Sequence, residues 1–322
     1  MAAFPLVHPP PRAPYRPGAR LRAAAWASLA ALVVHLIPFF FPRKVPAVEI
    51  DLARMMTDAE HRTPLLVPLL DNPQSTPANL REAAELVLPA SVATARRFLA
   101  EAERRGAPSV ENELLRARIC AADRDPTCVE SALAKARALG PKDPRPELLE
   151  SELAERAGDP AEALASLIRA HHKAQSDVPL TLRLAHALAR ASRVEEGVAL
   201  IDTVRDALGP VDAAVERGVL WLEANRPADA RAELERALAL DRHDARVHYF
   251  HAVALARLGD GAKAEVELRE ADRLDPGDYR ALAMLCALQR EDGRVDEAAV
   301  SRAILEKRFG DRRFEFDETC PP

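Results

Sequence analysis

Histidines supply the first candidate for chemistry in this 322-residue chain. His248 and His251 lie three residues apart, with His243 just before them, and this spacing on a helix suits a metal ion. Motifs for catalysis are absent from the sequence, which has no G-x-S-x-G, no P-loop and no Gly-rich dinucleotide turn among its 12 glycines. We therefore expect no enzymatic activity, cofactor or small-molecule substrate.

Cysteines are the second candidate group. There are four of them, and an even number in an exported domain favours disulfides. They include no C-x-x-C pair, so their spacing matches no zinc pattern and we expect no metal site. The four residues are Cys120, Cys128, Cys286 and Cys320.

A polar pair marks an uncharged stretch near the N-terminus. Residues 23–41 carry no formal charge and, as a helix, are long enough to cross the hydrocarbon core of a bilayer. Ser28 and His35 lie seven residues apart within it, hence on one helix face. We expect an uncleaved transmembrane helix. A cleaved signal peptide and a buried soluble helix are the alternatives, and no cysteine follows as a lipoprotein anchor would need.

The charge divides the chain in two. Residues 1–44 hold six basic residues and no acid, whereas the rest holds 39 basic and 50 acidic residues, so +6 and −11 give the net −5. The basic residues around the span predict a cytoplasmic tail at 1–22 and a body outside the cytoplasm. The acidic body disfavours nucleic-acid binding. Prolines at 46, 64, 68 and 73 predict a semi-extended spacer over 42–75.

After residue 76 the sequence repeats every 34 residues. The clearest unit, 245–278, closely resembles the tetratricopeptide repeat, a pair of antiparallel helices. That family places a small residue at unit position 20, a large apolar one at 24 and Ala at 27, and here Ala264, Leu268 and Ala271 occupy them. The register gives seven units over 76–312, with one 33-residue step, and a C-terminal tail at 313–322.

The resemblance implies an all-α fold, a right-handed α-solenoid of about seven helical hairpins. Position 24 is apolar in six units, but the last has Arg302, which suggests a solvated terminal repeat. No conventional capping helix follows. His248 and His251 fall at positions that pack between helices in the family, and we favour that role over a metal site.

The resemblance also implies a peptide-binding concave face on the first helix of each hairpin. Acidic residues share this face, so a solvated, salt-bridged surface is the alternative reading. The Lys/Asn clamp of chaperone-binding members is absent. The candidate residues are Arg118, Arg156, His186, Arg190, Tyr249, Arg257, Arg280 and Arg290.

The register also places the cysteines. Cys120 and Cys128 flank the turn of the second hairpin, where a disulfide would close it. Cys286 lies in the first helix of the last hairpin, and Cys320 reaches it only if the tail folds back over the final repeat. The alternative is four buried or free thiols.

Together these features predict a membrane-anchored scaffold that binds partner proteins or peptides in an envelope complex, at the inner membrane. One alternative is an energy transducer, since the anchor weakly resembles TonB-type proteins that use a Ser and a His. In that family the Ser lies four residues before the His, where this chain has Ala31. The other alternative is an accessory module that positions a separate enzyme.

Overall fold

The computed structural model describes residues 45–321, apart from the side chains of residues 59 and 60. The described residues are helical and contain no strand. They form two compact units, an N-terminal unit of residues 45–174 and a C-terminal unit of residues 175–321. The predicted anchor at 23–41, with Ser28 and His35, lies outside the described residues. Within residues 45–321, no helix is long and apolar enough to cross a membrane.

The N-terminal unit contains three helical hairpins behind two short helices. Each of its hairpins pairs consecutive helices, α3 with α4, α5 with α6 and α7 with α8. Its elements are α1 (Pro46–Met55), α2 (Ala59–Leu66), a 3-10 helix (Val67–Leu70), α3 (Pro77–Val87), α4 (Val92–Arg105), α5 (Val110–Ala122), α6 (Pro126–Leu139), α7 (Arg145–Ala157) and α8 (Pro160–Lys173).

The C-terminal unit contains four hairpins and a short tail helix. The hairpins pair α9 with α10, α12 with α13, α14 with α15 and α16 with α17. Its elements are α9 (Val178–Arg190), α10 (Val194–Thr203), α11 (Arg205–Leu208), α12 (Pro210–Glu223), α13 (Pro227–Leu240), α14 (Ala245–Arg257), α15 (Gly261–Leu274), α16 (Arg280–Glu291), α17 (Val295–Phe309), a 3-10 helix (Gly310–Arg312) and α18 (Arg313–Phe316).

Small residues let the two helices of a hairpin approach closely. Ala264 and Ala271 of α15 are buried against α14, and Leu268 between them is fully buried in the core. Gly197 replaces the usual Ala where α10 meets α9, and a Cβ there would lie 2.7 Å from the Ala185 carbonyl oxygen. The register thus selects side chains by the space left between helices.

The 33-residue step coincides with a break in helix geometry. Helix α10 ends at Thr203, the short α11 follows, and Gly209 adopts φ 86° before α12 begins. Only glycine adopts such a conformation readily. In the repeat that is one residue shorter, the second helix is therefore not continuous, and the chain changes direction through a separate short helix.

The predicted semi-extended spacer is wrong for residues 46–55 and 59–70, which are helical. Ile50 and Ala53 of α1 and Leu66, Leu69 and Leu70 are buried with the first hairpin. Proline at the first turn of a helix lacks only an N–H that has no intrahelical partner, so Pro46 begins α1 without cost. The apolar residues of this segment cover the open side of the first hairpin.

Arg105 at the end of α4 holds the connection between this segment and the first hairpin. Its Nη1 donates to the carbonyl oxygens of Asn72 and Ser75 at 2.7 and 3.0 Å, and its Nη2 donates to that of Leu70 at 2.7 Å. Hydrogen bonds from a charged donor are stronger than neutral ones. One guanidinium thus fixes three backbone carbonyls that lie outside any helix ladder.

The C-terminal tail folds over the last hairpin. Phe316 is fully buried beside Tyr279 and Phe309, and Cys320 is buried and bonded to Cys286 of α16, with the two Cα atoms 5.8 Å apart. The tail thus occupies the place where a further repeat would pack.

The prediction that Arg302 is solvated is wrong, because its side chain lies beneath this tail with the residue only 8% exposed. Its Nη2 donates to Asp317 at 2.6 Å, its Nη1 donates to the Cys320 carbonyl, and its guanidinium lies 4.9 Å from the ring centre of Phe316. A buried cation needs such partners. Arginine therefore stands at position 24 because the covering element is a polar tail.

We expect Phe316→Ala to lower the free energy of unfolding by about 3–5 kcal/mol, because it leaves a cavity beneath the tail. Urea unfolding of the oxidised protein, followed by circular dichroism, measures this. Phe314→Ala is the matched control, since Phe314 is 78% exposed, and its effect should stay within about 0.5 kcal/mol. Equal effects of the two substitutions would show that the tail does not cover the core.

Candidate functional site

The first helices of the hairpins lie side by side within each unit. In the C-terminal unit α9 contacts α12, α12 contacts α14 and α14 contacts α16. In the N-terminal unit α3 contacts α5 and α5 contacts α7. These rows carry the candidate face residues. We call the row in the C-terminal unit the first-helix face, made by α9, α12, α14 and α16.

His186 of α9 is held between two carboxylates of α12. Its Nδ1 lies 3.0 Å from Glu223 Oε2, and its Nε2 lies 3.2 Å from Glu216 Oε2. Burial lowers its pKa, but the hydrogen bonds to both glutamates outweigh burial and raise the pKa to about 9. His186 is therefore an imidazolium at neutral pH, and both of its N–H groups donate within the chain.

Tyr249, Arg257 and Arg280 form interhelical contacts near the middle of the face. The Arg280 guanidinium lies 5.1 Å from the ring centre of Tyr249, and Arg257 Nη1 donates to the Leu222 carbonyl oxygen at 2.5 Å. Burial raises the pKa of Tyr249 to about 12 and lowers that of Arg257. These three side chains hold neighbouring first helices together. Arg257 and Arg280 are half-buried and Tyr249 is buried, so Tyr249 is part of the core and does not line an open face.

The remaining candidates differ in how strongly they are engaged. Arg290 donates to the Pro321 carbonyl oxygen at 2.7 Å, and Arg118 forms a 2.6 Å ion pair with Glu85 in the N-terminal unit. Arg190 and Arg156 are exposed and form no hydrogen bond or ion pair with the described residues. On the first-helix face, Arg190 thus keeps its guanidinium N–H groups toward solvent.

Residues at position 2 of neighbouring repeats form ion pairs that the sequence analysis did not predict. Arg246 donates to Asp212 of the preceding hairpin at 2.6 Å and also to Asp244 two residues earlier. Arg145 repeats this in the N-terminal unit with Glu111 at 2.7 Å. The signal was present as D-x-R, at 143–145, 244–246 and 278–280. Arg280, a predicted binding residue, forms the same local ion pair with Asp278, and this pair fixes its side chain.

The paired histidines share one carboxylate. His248 Nδ1 lies 2.5 Å and His251 Nδ1 3.3 Å from Glu267 of α15. Burial raises the pKa of Glu267, but the hydrogen bond with His248 and the proximity of His251 outweigh burial and lower the pKa to about 2. Among the residues that the structure describes, no group of three His, Cys, Asp or Glu side chains could hold a metal ion. The contacts join α14 to α15.

The first cysteine pair joins the two helices of one hairpin. Cys120 of α5 is bonded to Cys128 of α6, with the Cα atoms 5.7 Å apart. The Asp125 side chain accepts from the Cys128 backbone N–H at 3.0 Å and caps α6. This disulfide therefore closes two helices that the repeat register places face to face, whereas the Cys286–Cys320 disulfide joins the tail to α16.

We expect the pKa of His186 to be about 9 in an NMR titration of its ring nitrogens. Glu223→Gln should lower that pKa because it removes one of the two carboxylates, whereas the exposed Glu291→Gln should leave it unchanged. A raised pKa stabilises the fold fully below the unfolded value of 6.5, and this contribution declines as pH rises toward 9. A His186 pKa near 6.5 would contradict the assignment.

Comparison with known proteins supports the repeat assignment. Residues 221–288 match the family profile described as tetratricopeptide repeat. None of the curated proteins compared with the chain matches it in sequence.

Several solved structures are similar to the chain. Yeast Tom70 has a TM-score of 0.51 at 15% identity over 89% of this chain, which spans 56% of the Tom70 chain. PilW, a type IV pilus biogenesis factor, has a TM-score of 0.44 at 16% identity over 62% of this chain and 94% of its own. MamA 41-end from Desulfovibrio magneticus RS-1 has a TM-score of 0.39 at 21% identity over 54% of this chain and 98% of its own.

At these identities the likeness concerns the fold. The profile match covers α13, α14 and α15 completely and most of α16, and Tom70 extends the same helical fold over most of the chain. The match and the hairpin architecture together support a tetratricopeptide-repeat protein.

Proposed function

We propose that this chain is a noncatalytic, membrane-anchored scaffold whose repeats dock partner proteins or peptides in an envelope complex. The observation that carries the proposal is the first-helix face, where side-by-side helices present arginines toward solvent. Residues 23–41 would anchor the chain, with residues 1–22 in the cytoplasm and the repeats outside it. Two disulfides support an extracytoplasmic location, since disulfides persist in oxidising compartments.

The chemistry of the face favours carboxylate-bearing segments of a partner. Arg190 and Arg290 are exposed, and Arg290 uses one Nη1 on the Pro321 carbonyl, which leaves the rest of its guanidinium for a ligand. Guanidinium groups bind carboxylates through two parallel hydrogen bonds.

Arg190→Glu should reduce recovery of the partner in a crosslinking pull-down from membranes by about tenfold, because it removes a charge-assisted contact and adds repulsion. Arg231→Glu on α13 is the matched control, since Arg231 is similarly accessible but lies on a second helix. Equal recovery with Arg190→Glu and wild type would contradict binding at this face. Recovery of mainly one enzyme would instead favour an accessory role.

Topology has its own test. A reporter that is active only outside the cytoplasm, fused after residue 322, should be active. The same reporter fused after residue 22 should be silent, because the positive charges retain that segment. Activity of a cytoplasm-specific reporter at the C-terminus would overturn the proposed location while leaving the repeat fold and its binding face intact.

A further inference from the structure

The outer surface of α17, the second helix of the last hairpin, differs from that of α15 in the hairpin before it. Along α17 an exposed stripe runs through the centre of the helix, where Val300 is 61% and Ile304 38% exposed. Its centre is apolar and its two ends carry opposite charges. We call these residues the α17 stripe, namely Asp296, Ala299, Val300, Ala303, Ile304 and Lys307.

The preceding hairpin has a more polar surface at these positions. The six residues of α15 at the same unit positions include four charged side chains, of which Arg269 and Arg273 are exposed and Glu265 is buried. They are Ala262, Glu265, Val266, Arg269, Glu270 and Arg273. In the α17 stripe the four central positions are all apolar, so the last hairpin departs from the polar pattern at the surface where solvent would favour it.

Spacing within the stripe matches a helix-pairing seam. Residues 296, 300, 303 and 307 follow one another at intervals of four, three and four, the repeat of a coiled-coil interface. Ala299 and Ala303 are small, and small residues allow two helix backbones to approach closely. The stripe therefore has the shape of a surface made for another helix.

Charges at the two ends of the α17 stripe indicate which helix would pair with it. Asp296 and Lys307 form no ion pair with the described residues, although most charged side chains near them are paired. Two copies of α17 packed antiparallel would set Asp296 against Lys307 of the other copy, twice. The same register sets Val300 against Ala303 and Ala299 against Ile304. Parallel pairing would instead oppose like charges.

We propose that the chain forms a symmetric homodimer through the α17 stripe, with the two copies of α17 antiparallel about a twofold axis near residues 301 and 302. This inference goes beyond docking of other proteins and does not depend on it. Such a contact closes on itself, as isologous interfaces do. One helix pair is a small interface, so a dissociation constant on the order of 10–100 µM is expected.

Sedimentation equilibrium of the full chain in density-matched detergent tests the dimer. At about 100 µM, wild type should exceed its monomer mass of 35.2 kDa and approach a dimer. Val300→Arg should weaken association at least tenfold, whereas Val266→Arg at the same place on α15, where Val266 is 63% exposed, should not. Lys307→Glu should weaken it too, and Asp296→Lys combined with Lys307→Glu should restore it.

A crosslinking experiment separates this contact from association through any other segment. Chains with Val300→Cys and Ala303→Cys are coexpressed with different tags and oxidised with copper phenanthroline. They should form a mixed disulfide dimer, and Val266→Cys with Ala303→Cys should not. A wild-type monomer at the highest concentration, absence of the mixed crosslink, or failure of the charge swap to restore association would overturn the proposal.

Discussion

Each described hairpin leaves one apolar side uncovered, and the packing within each of the two units follows from that constraint. A pair of helices of this length buries too little surface to be stable alone, so the next hairpin must cover it. Within each unit that role passes from hairpin to hairpin through buried side chains such as Leu234 and Leu268. Where no further repeat follows, another segment has to take over.

Two different segments solve the problem at the outer hairpins. In the N-terminal unit, residues 46–70 cover the first hairpin with buried Leu66 and Leu69, and Arg105 secures the backbone that returns from them. In the C-terminal unit the tail supplies Phe316 and a disulfide. The first solution is mainly apolar, while the second also brings Asp317 and the Cys320 carbonyl over the hairpin, which explains why Arg302 is buried there.

The sequence predicted the repeating part of the fold and missed the segments that interrupt it. Small and large residues at fixed positions reflect the space between helices, so the register located the hairpins and placed Cys120 beside Cys128. Prolines were taken as helix breakers at 46 and 64, although Pro46 starts a helix and Pro64 lies within a short one. Arg302 was taken as solvated because the register describes only the repeat and carries no information on the tail.

The sequence predicted which residues lie on the first helices, but it did not predict which of them are already engaged by other residues of the chain. The register correctly places His186 and Arg280 on first helices, but it gives no information on their partners, which lie one hairpin away or two residues earlier. His186 is committed to two glutamates and Arg280 to Asp278, whereas Arg190 faces solvent. Position on a repeat thus identifies the face, and only the contacts separate residues that build it from residues that remain for a ligand.

Incomplete covering explains the unusual surface of the last hairpin. In the preceding hairpin Glu265 at unit position 21 is buried beside Gln289 and is paired with Arg294. The tail is too short to repeat this coverage, since it follows α16 from Tyr279 to Arg290 and closes over Arg302. Position 21 of the last hairpin is therefore exposed, and it holds Ala299, not an acid. A surface that lies open but keeps small apolar residues is consistent with a helix from another copy.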